Sequence, residues 1–192
     1  MPHLPLTVLA LPGSLRQDSF NRRLLEAAAE LAPAGMTLQP CDGLRGLPLF
    51  DEDLERETRG GPAPVQQLRA QVASADALLI ATPEYNQSFP GVLKNGLDWL
   101  SRPAPAEVLV GKPVALLGAT AGRWGTRLAQ AGLRQVLTAT EALVLPAPGV
   151  YVREAERLFD GSGQLRDEAT REQLRELLRA FALWIERVAQ AR

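Results

Sequence analysis

Short apolar runs alternate with amphipathic stretches along the whole chain, and this alternation limits the possible folds more than any other feature. "LTVLAL" (6–11) precedes a predicted helix from Phe20 to Leu31, and "MTLQPC" (36–41) reads as a second, weaker strand. A loop rich in Pro, Gly and charge covers 42–62. A helix from Ala63 to Ser74 then leads into the strand "DALLIAT" (76–82). "PEYNQSFPG" introduces a helix from Val92 to Ser101, "KPVALLGAT" (112–120) is a fourth strand, and a glycine-containing turn at 121–125 enters a helix ending near Thr140. "ALVLP" (142–146) makes the fifth strand, and 153–170 reads as an exposed crossing with a Gly-Ser-Gly turn. The last helix carries Leu174, Leu177, Leu178, Phe181, Trp184, Ile185 and Val188 on one face. Strands this short and apolar are buried on both faces, so the alternation predicts an α/β fold: a parallel sheet with helices on both sides.

The composition narrows the chemistry. With 192 residues, 46% of them hydrophobic, the chain can bury one core, and a single domain over 1–192 is expected. Its 21 basic and 22 acidic residues nearly cancel, which argues against a nucleic-acid partner. Nineteen of the basic residues are arginine, so abundance says little and only position can carry an argument. Cys41 is the single cysteine, which excludes an intrachain disulfide, and His3 is the single histidine. A Ser-His-Asp or Cys-His centre would have to recruit His3, and an imidazole/thiolate metal site lacks ligands. The N-terminal run has no signal-peptide pattern and no apolar run reaches membrane-spanning length, so the expected location is the cytoplasm, with no membrane partner.

In open parallel sheets, ligands sit beyond the carboxyl ends of the strands where strand order reverses. Three loops qualify: 12–19, 83–90 and 120–126. In the first, Arg16 lies in the turn and Arg22 and Arg23 in the first helical turn, where acidic residues are the usual neighbours. Ser14, Ser19 and Asn21 add short polar groups, and Gly13 allows a close bend. Such a cluster is completed by a dianion, and phosphate is the simplest one. The alternative is that Ser19 merely caps the helix while Arg22 and Arg23 face solvent. The loop fits neither G-x-x-x-x-G-K-[ST] nor G-x-G-x-x-G. In the second loop, Pro83 and Pro90 stiffen a turn bearing Glu84, Tyr85 and Asn86, which suits a flat heterocycle with an imide edge.

"GSLRQDSFN" followed by "PEYNQSFPGVLKNGLDW" resembles the NADPH-dependent FMN reductase family of flavodoxin-like proteins, which includes quinone, chromate and azo-dye reductases. That resemblance implies a doubly wound five-stranded parallel sheet in the order 2-1-3-4-5. It implies that Ser14, Arg16, Ser19 and Asn21 hold the FMN phosphate, with Phe20 also among the cofactor-binding residues. Pro83, Glu84, Tyr85 and Asn86 would flank the ring, largely through the main chain, and Gly122 would permit close approach from the third loop. Lys94 would have a structural or interface role, and members commonly pair, so a homodimer or homotetramer is expected. No side-chain acid or base is needed, because hydride passes from NADPH or NADH through the flavin to a quinone or similar acceptor. The third loop departs from the family pattern: "ATAGRWGTR" (119–127) has Trp124 where a small residue is common. Trp124 could narrow the pocket, with Arg123 or Arg127 favouring the anionic NADPH, or it could pack beneath a neighbouring subunit. An electron carrier or a regulatory flavoprotein on the same fold is the rival reading. Arg16 and the near-neutral charge favour the enzyme.

Overall fold

The computed structural model describes residues 5–102 and 107–191, so His3 lies outside the described residues. The chain runs β1 (Leu6–Pro12), α1 (Phe20–Glu30), β2 (Met36–Pro40), α2 (Glu52–Thr58), α3 (Ala63–Ser74), β3 (Ala77–Ala81) and α4 (Gly91–Leu100). It continues with β4 (Pro113–Ala119), α5 (Arg127–Ala139), β5 (Leu143–Val144), β6 (Val150–Val152), a 3-10 turn (Ala155–Arg157) and α6 (Glu168–Gln190). All strand pairings in the sheet are parallel and follow the order β2-β1-β3-β4-β5 that the family resemblance implied, with β6 also pairing with β4.

Period-two alternation divides the core between the faces of the sheet. Val8, Ala10, Leu79 and Leu117 pack with Leu24, Leu174, Leu178 and Phe181 beneath α1 and α6. Their neighbours Leu9, Leu11, Leu78, Ile80 and Leu116 pack with Leu68, Val72, Leu93, Leu97, Leu133 and Leu137 beneath α3, α4 and α5. Each fully buried aliphatic side chain contributes roughly 1.5–3 kcal/mol. Because β3 and β4 are buried along their whole length, a one-residue slip would exchange the two cores, and the register is fixed accordingly.

Three elements differ from expectation. The fifth strand is split: β4 pairs with β5 through Pro113–Leu143 and Val114–Val144, then with β6 through Leu117–Val150 and Ala119–Val152. The Leu145 N–H still donates to the Val114 carbonyl at 2.8 Å, but residues 146–149, which include Pro146 and Pro148, leave the ladder, because proline supplies no N–H to the pairing. The charged loop holds α2, capped by Asp51, whose carboxylate accepts from the Asp53 N–H at 2.8 Å. The 153–170 crossing is partly packed, with Ala155, Phe159 and Leu165 buried and Phe159 bridged to Leu165. Asp160 holds its turn together, accepting from the Ser162 hydroxyl at 2.6 Å, from Arg166 at 2.6 Å and from the Gln164 N–H at 3.0 Å. These bonds, the Ser162 hydroxyl foremost, hold its carboxyl well below the usual carboxylate range.

Candidate functional site

The carboxyl ends of β1, β3 and β4 lie side by side, which brings the three loops to one edge of the sheet. Gly13 makes the closest junction. Its N–H donates to the Ala81 carbonyl at 2.7 Å, and a Cβ there would stand 3.0 Å from Leu93 Cδ2 and 3.2 Å from that carbonyl oxygen. The chain then turns through Ser14 and reaches Ser19, whose hydroxyl caps α1 by accepting from the Asn21 N–H at 3.2 Å. Ser14, Ser19 and Asn21 are all buried. The main-chain N–H groups of Ser14, Leu15, Gln17, Asp18, Ser19 and Phe20 have no acceptor among the described residues. The first turn of α1 holds no acidic side chain. This band of open donors at a helix start is suited to an anion with several oxygens.

The three arginines are not equivalent, and the expectation of an uncompensated cluster needs correcting. Arg22 is paired with Asp42 at 2.6 Å and Arg23 with Asp18 at 3.7 Å, with the Arg23 guanidinium also above the Phe20 ring. Arg16 is exposed and has no acidic partner among the described residues, so it alone carries uncommitted positive charge in this turn. Phe20 packs its ring against Phe159, with centroids 5.6 Å apart. Asn21 reaches across the sheet: its amide nitrogen donates to the Ala119 carbonyl and its amide oxygen accepts from the Ala119 N–H, both at 2.9 Å. Asn21 therefore pins the start of α1 to the end of β4 and keeps one amide hydrogen to spare.

The second loop is a tight hairpin. Tyr85 and Ser88 exchange main-chain hydrogen bonds of 2.9 and 3.0 Å, with Asn86 and Gln87 between them at φ 50° and 64°. Two consecutive positive φ values match a type I′ turn, and at Gln87 they cost about 1 kcal/mol, since only glycine and asparagine adopt them readily. Pro83 is buried, Tyr85 half-exposed, and the N–H groups of Glu84 and Asn86 have no acceptor among the described residues. The Glu84 side chain does not face a neighbouring loop residue. One of its oxygens accepts from the N–H groups of Leu128 and Ala129 at the start of α5, both at 2.9 Å.

The remainder of the long motif serves packing. Asn95 accepts from the Phe50 N–H at 2.8 Å and donates to the Pro48 carbonyl at 2.9 Å, and the Trp99 indole donates to the same carbonyl at 2.9 Å. Lys94 is paired with Asp98 one turn on, at 2.6 Å.

Gly118, just before the third loop, is a site residue that sequence reasoning missed. A Cβ there would lie 2.2 Å from the Thr126 hydroxyl and 2.3 Å from the Thr82 carbonyl oxygen. Only glycine lets the second and third loops approach this closely. Gly122 sits in the exposed part of the third loop, its N–H donating to the Thr120 hydroxyl at 3.2 Å and its carbonyl accepting from the Glu154 N–H at 3.1 Å. Trp124 is 72% exposed, with the Arg123 guanidinium 4.8 Å from its ring centre; Arg127 lies 4.7 Å above Tyr151. Neither arginine has an acidic partner among the described residues. Cys41 is buried just past β2, its N–H donating to the Ala10 carbonyl at 3.0 Å beside Pro12 and Arg22, and burial pushes its thiol up.

A parallel doubly wound sheet in this order, with an open donor band at its first turn and a stiffened hairpin beside it, defines the chain as a flavodoxin-like α/β protein. The family profile described as NADPH-dependent FMN reductase matches residues 6–157, and the chain belongs to that family. It is 45% identical over 183 residues to an NAD(P)H-dependent FMN reductase of Pseudomonas aeruginosa, covering 95% of this chain and 97% of that protein. It is 40% identical to a 2-hydroxy-1,4-benzoquinone reductase of a Burkholderia species, over 95% of this chain and 97% of that protein. Among solved structures, the flavoenzyme NAD(P)H:(acceptor) oxidoreductase FerB of Paracoccus denitrificans matches with a TM-score of 0.85 and 34% identity, covering 95% of this chain and 98% of that one.

Proposed function

We propose that the chain is an NAD(P)H-dependent FMN oxidoreductase that reduces quinones or similar small electrophiles. The observation that carries this reading is the band of unpartnered N–H groups from Ser14 to Phe20 beside the free Arg16, which fits the phosphate of FMN. Bound FMN would supply the hydride-accepting ring, taking hydride from NADPH or NADH and giving it to the acceptor.

The protein's own work is binding and orientation. Ser14 and Ser19 would line the phosphate, with Arg16 closing over it. Phe20 would contribute its main-chain N–H, and Asn21 would hold the turn in place with its spare amide hydrogen available to the ligand. Pro83, Glu84, Tyr85 and Asn86 would edge the ring, the free N–H groups of Glu84 and Asn86 facing the place where negative charge develops. Gly122 would keep the third-loop side open for a planar substrate. Arg123 and Arg127 would meet the phosphates of the nicotinamide nucleotide. Trp124 would narrow the entrance to the ring. If so, Trp124→Gly lowers KM for bulky quinones and leaves small ones unchanged, and equal kinetics for both would refute the gating role.

The exposed apolar side chains of Tyr85, Trp124 and Leu128 around this edge support a homodimer or homotetramer, and the chain is read as one FMN-binding domain over 1–192 working in the cytoplasm. None of the described helices is long and apolar enough to cross a membrane.

The test is a visible spectrum of the protein after FMN loading and desalting, followed anaerobically by NADPH and then a quinone. Retained flavin bands that bleach with NADPH and return with quinone are expected. Retained bands that never bleach would make the protein a carrier or regulator, and absence of flavin binding would overturn the reading of residues 13–21.

A further inference from the structure

We infer that Glu84 is the positioning residue of the flavin edge, a step that rests on the function proposed above. Its carboxylate braces the second loop against the first turn of α5 and so sets where the open N–H groups of Glu84 and Asn86 stand. Three observations support this.

The first concerns α5. A helix start leaves N–H groups unpaired and carries partial positive charge, yet Thr126, at the cap position, makes no side-chain cap bond. Its hydroxyl instead accepts from the buried Gln130 amide at 2.9 Å. The missing acceptor comes from Glu84, 44 residues earlier and on another loop, through its two 2.9 Å bonds.

The second concerns the loop. The Tyr85–Ser88 hydrogen bonds close the hairpin on itself and do not locate it in the molecule. Among the described residues, the Glu84 bonds are the hydrogen bonds that tie residues 83–89 to a separate helix. Apolar contact helps: Phe89 reaches within van der Waals distance of a Cβ built on Gly132 of α5. That contact allows sliding, whereas two charge-assisted hydrogen bonds do not.

The third is that both donors converge on a single oxygen of Glu84. A glutamine can offer its one carbonyl oxygen to the same pair without moving the backbone, which separates geometry from charge. Alanine cannot.

The experiment compares wild type, Glu84→Gln and Glu84→Ala by apoprotein Tm, FMN Kd from fluorescence quenching, and visible circular dichroism of the bound flavin. A preorganised site loses affinity when its brace is removed. Glu84→Ala is expected to weaken FMN binding at least about tenfold and to alter the flavin dichroism, with Glu84→Gln within about threefold of wild type. If Glu84→Ala lowers Tm but keeps the wild-type Kd and dichroism, Glu84 is only a helix cap and the inference fails. It also fails if Glu84→Gln is as impaired as Glu84→Ala, since charge rather than position would then matter. Should Glu84→Ala not fold, Leu128→Pro removes one donor from the opposite side at a position where helices accept proline. It must weaken FMN binding by about threefold, and a wild-type Kd overturns the inference. Wild-type protein that retains no FMN would instead overturn the proposed function itself.

Discussion

Arg16 offers the sharpest test of how the first loop is built, because its two neighbours act as internal controls. Arg16 is exposed without an acidic partner among the described residues, whereas Arg22 and Arg23 already face Asp42 and Asp18. Removing the Arg16 side chain breaks no hydrogen bond or ion pair among the described residues, so Arg16→Ala is expected to change apoprotein stability by less than about 0.5 kcal/mol. A guanidinium-to-phosphate hydrogen bond is worth about 1.5–3 kcal/mol, and each 1.4 kcal/mol is a factor of ten, so FMN Kd should rise roughly 10- to 150-fold. Arg22→Ala breaks a pair whose side chains are 30% and 68% exposed. Such a pair is worth about 0.2–1 kcal/mol, and its loss should change FMN Kd less than about fivefold. Lysine at position 16 keeps the charge and loses the planar fork, and should fall between wild type and alanine. Quenching of flavin fluorescence at low and high salt measures all of these, and the salt dependence should be weaker in Arg16→Ala. An Arg16→Ala Kd within about threefold of wild type, or an Arg22→Ala variant as impaired as Arg16→Ala, would refute the assignment.

Other consequences follow from the same geometry. Asn21→Ala strands the N–H and carbonyl of buried Ala119. At about 1–3 kcal/mol per group it should lower stability by roughly 2–6 kcal/mol, read by urea unfolding; an unchanged midpoint would show that water replaces the amide. Gly118→Ala forces a methyl against the Thr126 hydroxyl and the Thr82 carbonyl; it should cost about 1–3 kcal/mol and also weaken FMN binding by parting the second and third loops, and a variant stable and tight as wild type would contradict the close approach. Asp160 titrates below its ordinary range in the folded protein, so its contribution is complete above the usual aspartate pKa and is lost progressively as pH falls from there to the lowered folded value. The Tm difference between wild type and Asp160→Asn should therefore hold steady from neutral pH down to about pH 4 and close only below it; a gap that closes between pH 7 and 5 would contradict the sign.

The alternation made a parallel sheet with helices on both faces legible, because strands such as "ALLIA" carry their burial in their own composition, whereas the strand order came only from the resemblance to the FMN reductase family. The alternation also located the three loops. Pairings between distant side chains were not legible. Nothing near Arg22 announces that Asp42 returns to it, and nothing in "PEYN" shows that the glutamate reaches a helix 44 residues on. The α2 helix was missed because none of its residues is buried, leaving no apolar periodicity to detect. The fifth strand was legible where it begins, since β5 lies within "ALVLP", but its resumption as β6 was not, because Pro146 and Pro148 interrupt the ladder and "VYV" alone is too short to stand out. Gly118 looked like an ordinary strand glycine, since the need for it comes from Thr82 and Thr126, which only the folded sheet brings together.

The split of the last strand also bears on how copies of the chain can meet. An uninterrupted edge would offer a row of unpaired main-chain groups onto which a second molecule could add a strand. Here one margin consists of stubs of two and three residues separated by a proline-containing excursion, and the other is a five-residue strand ending at Pro40. The β5–β6 margin presents too little continuous backbone for strand addition, whereas the β2 margin offers five residues before Pro40 ends it. Along the β5–β6 margin any contact with another molecule falls to side chains of helices and loops, which single substitutions can strengthen or weaken without disturbing the sheet. That surface is free to vary while the fold beneath it stays constant, and the sheet is guarded against growth through that margin.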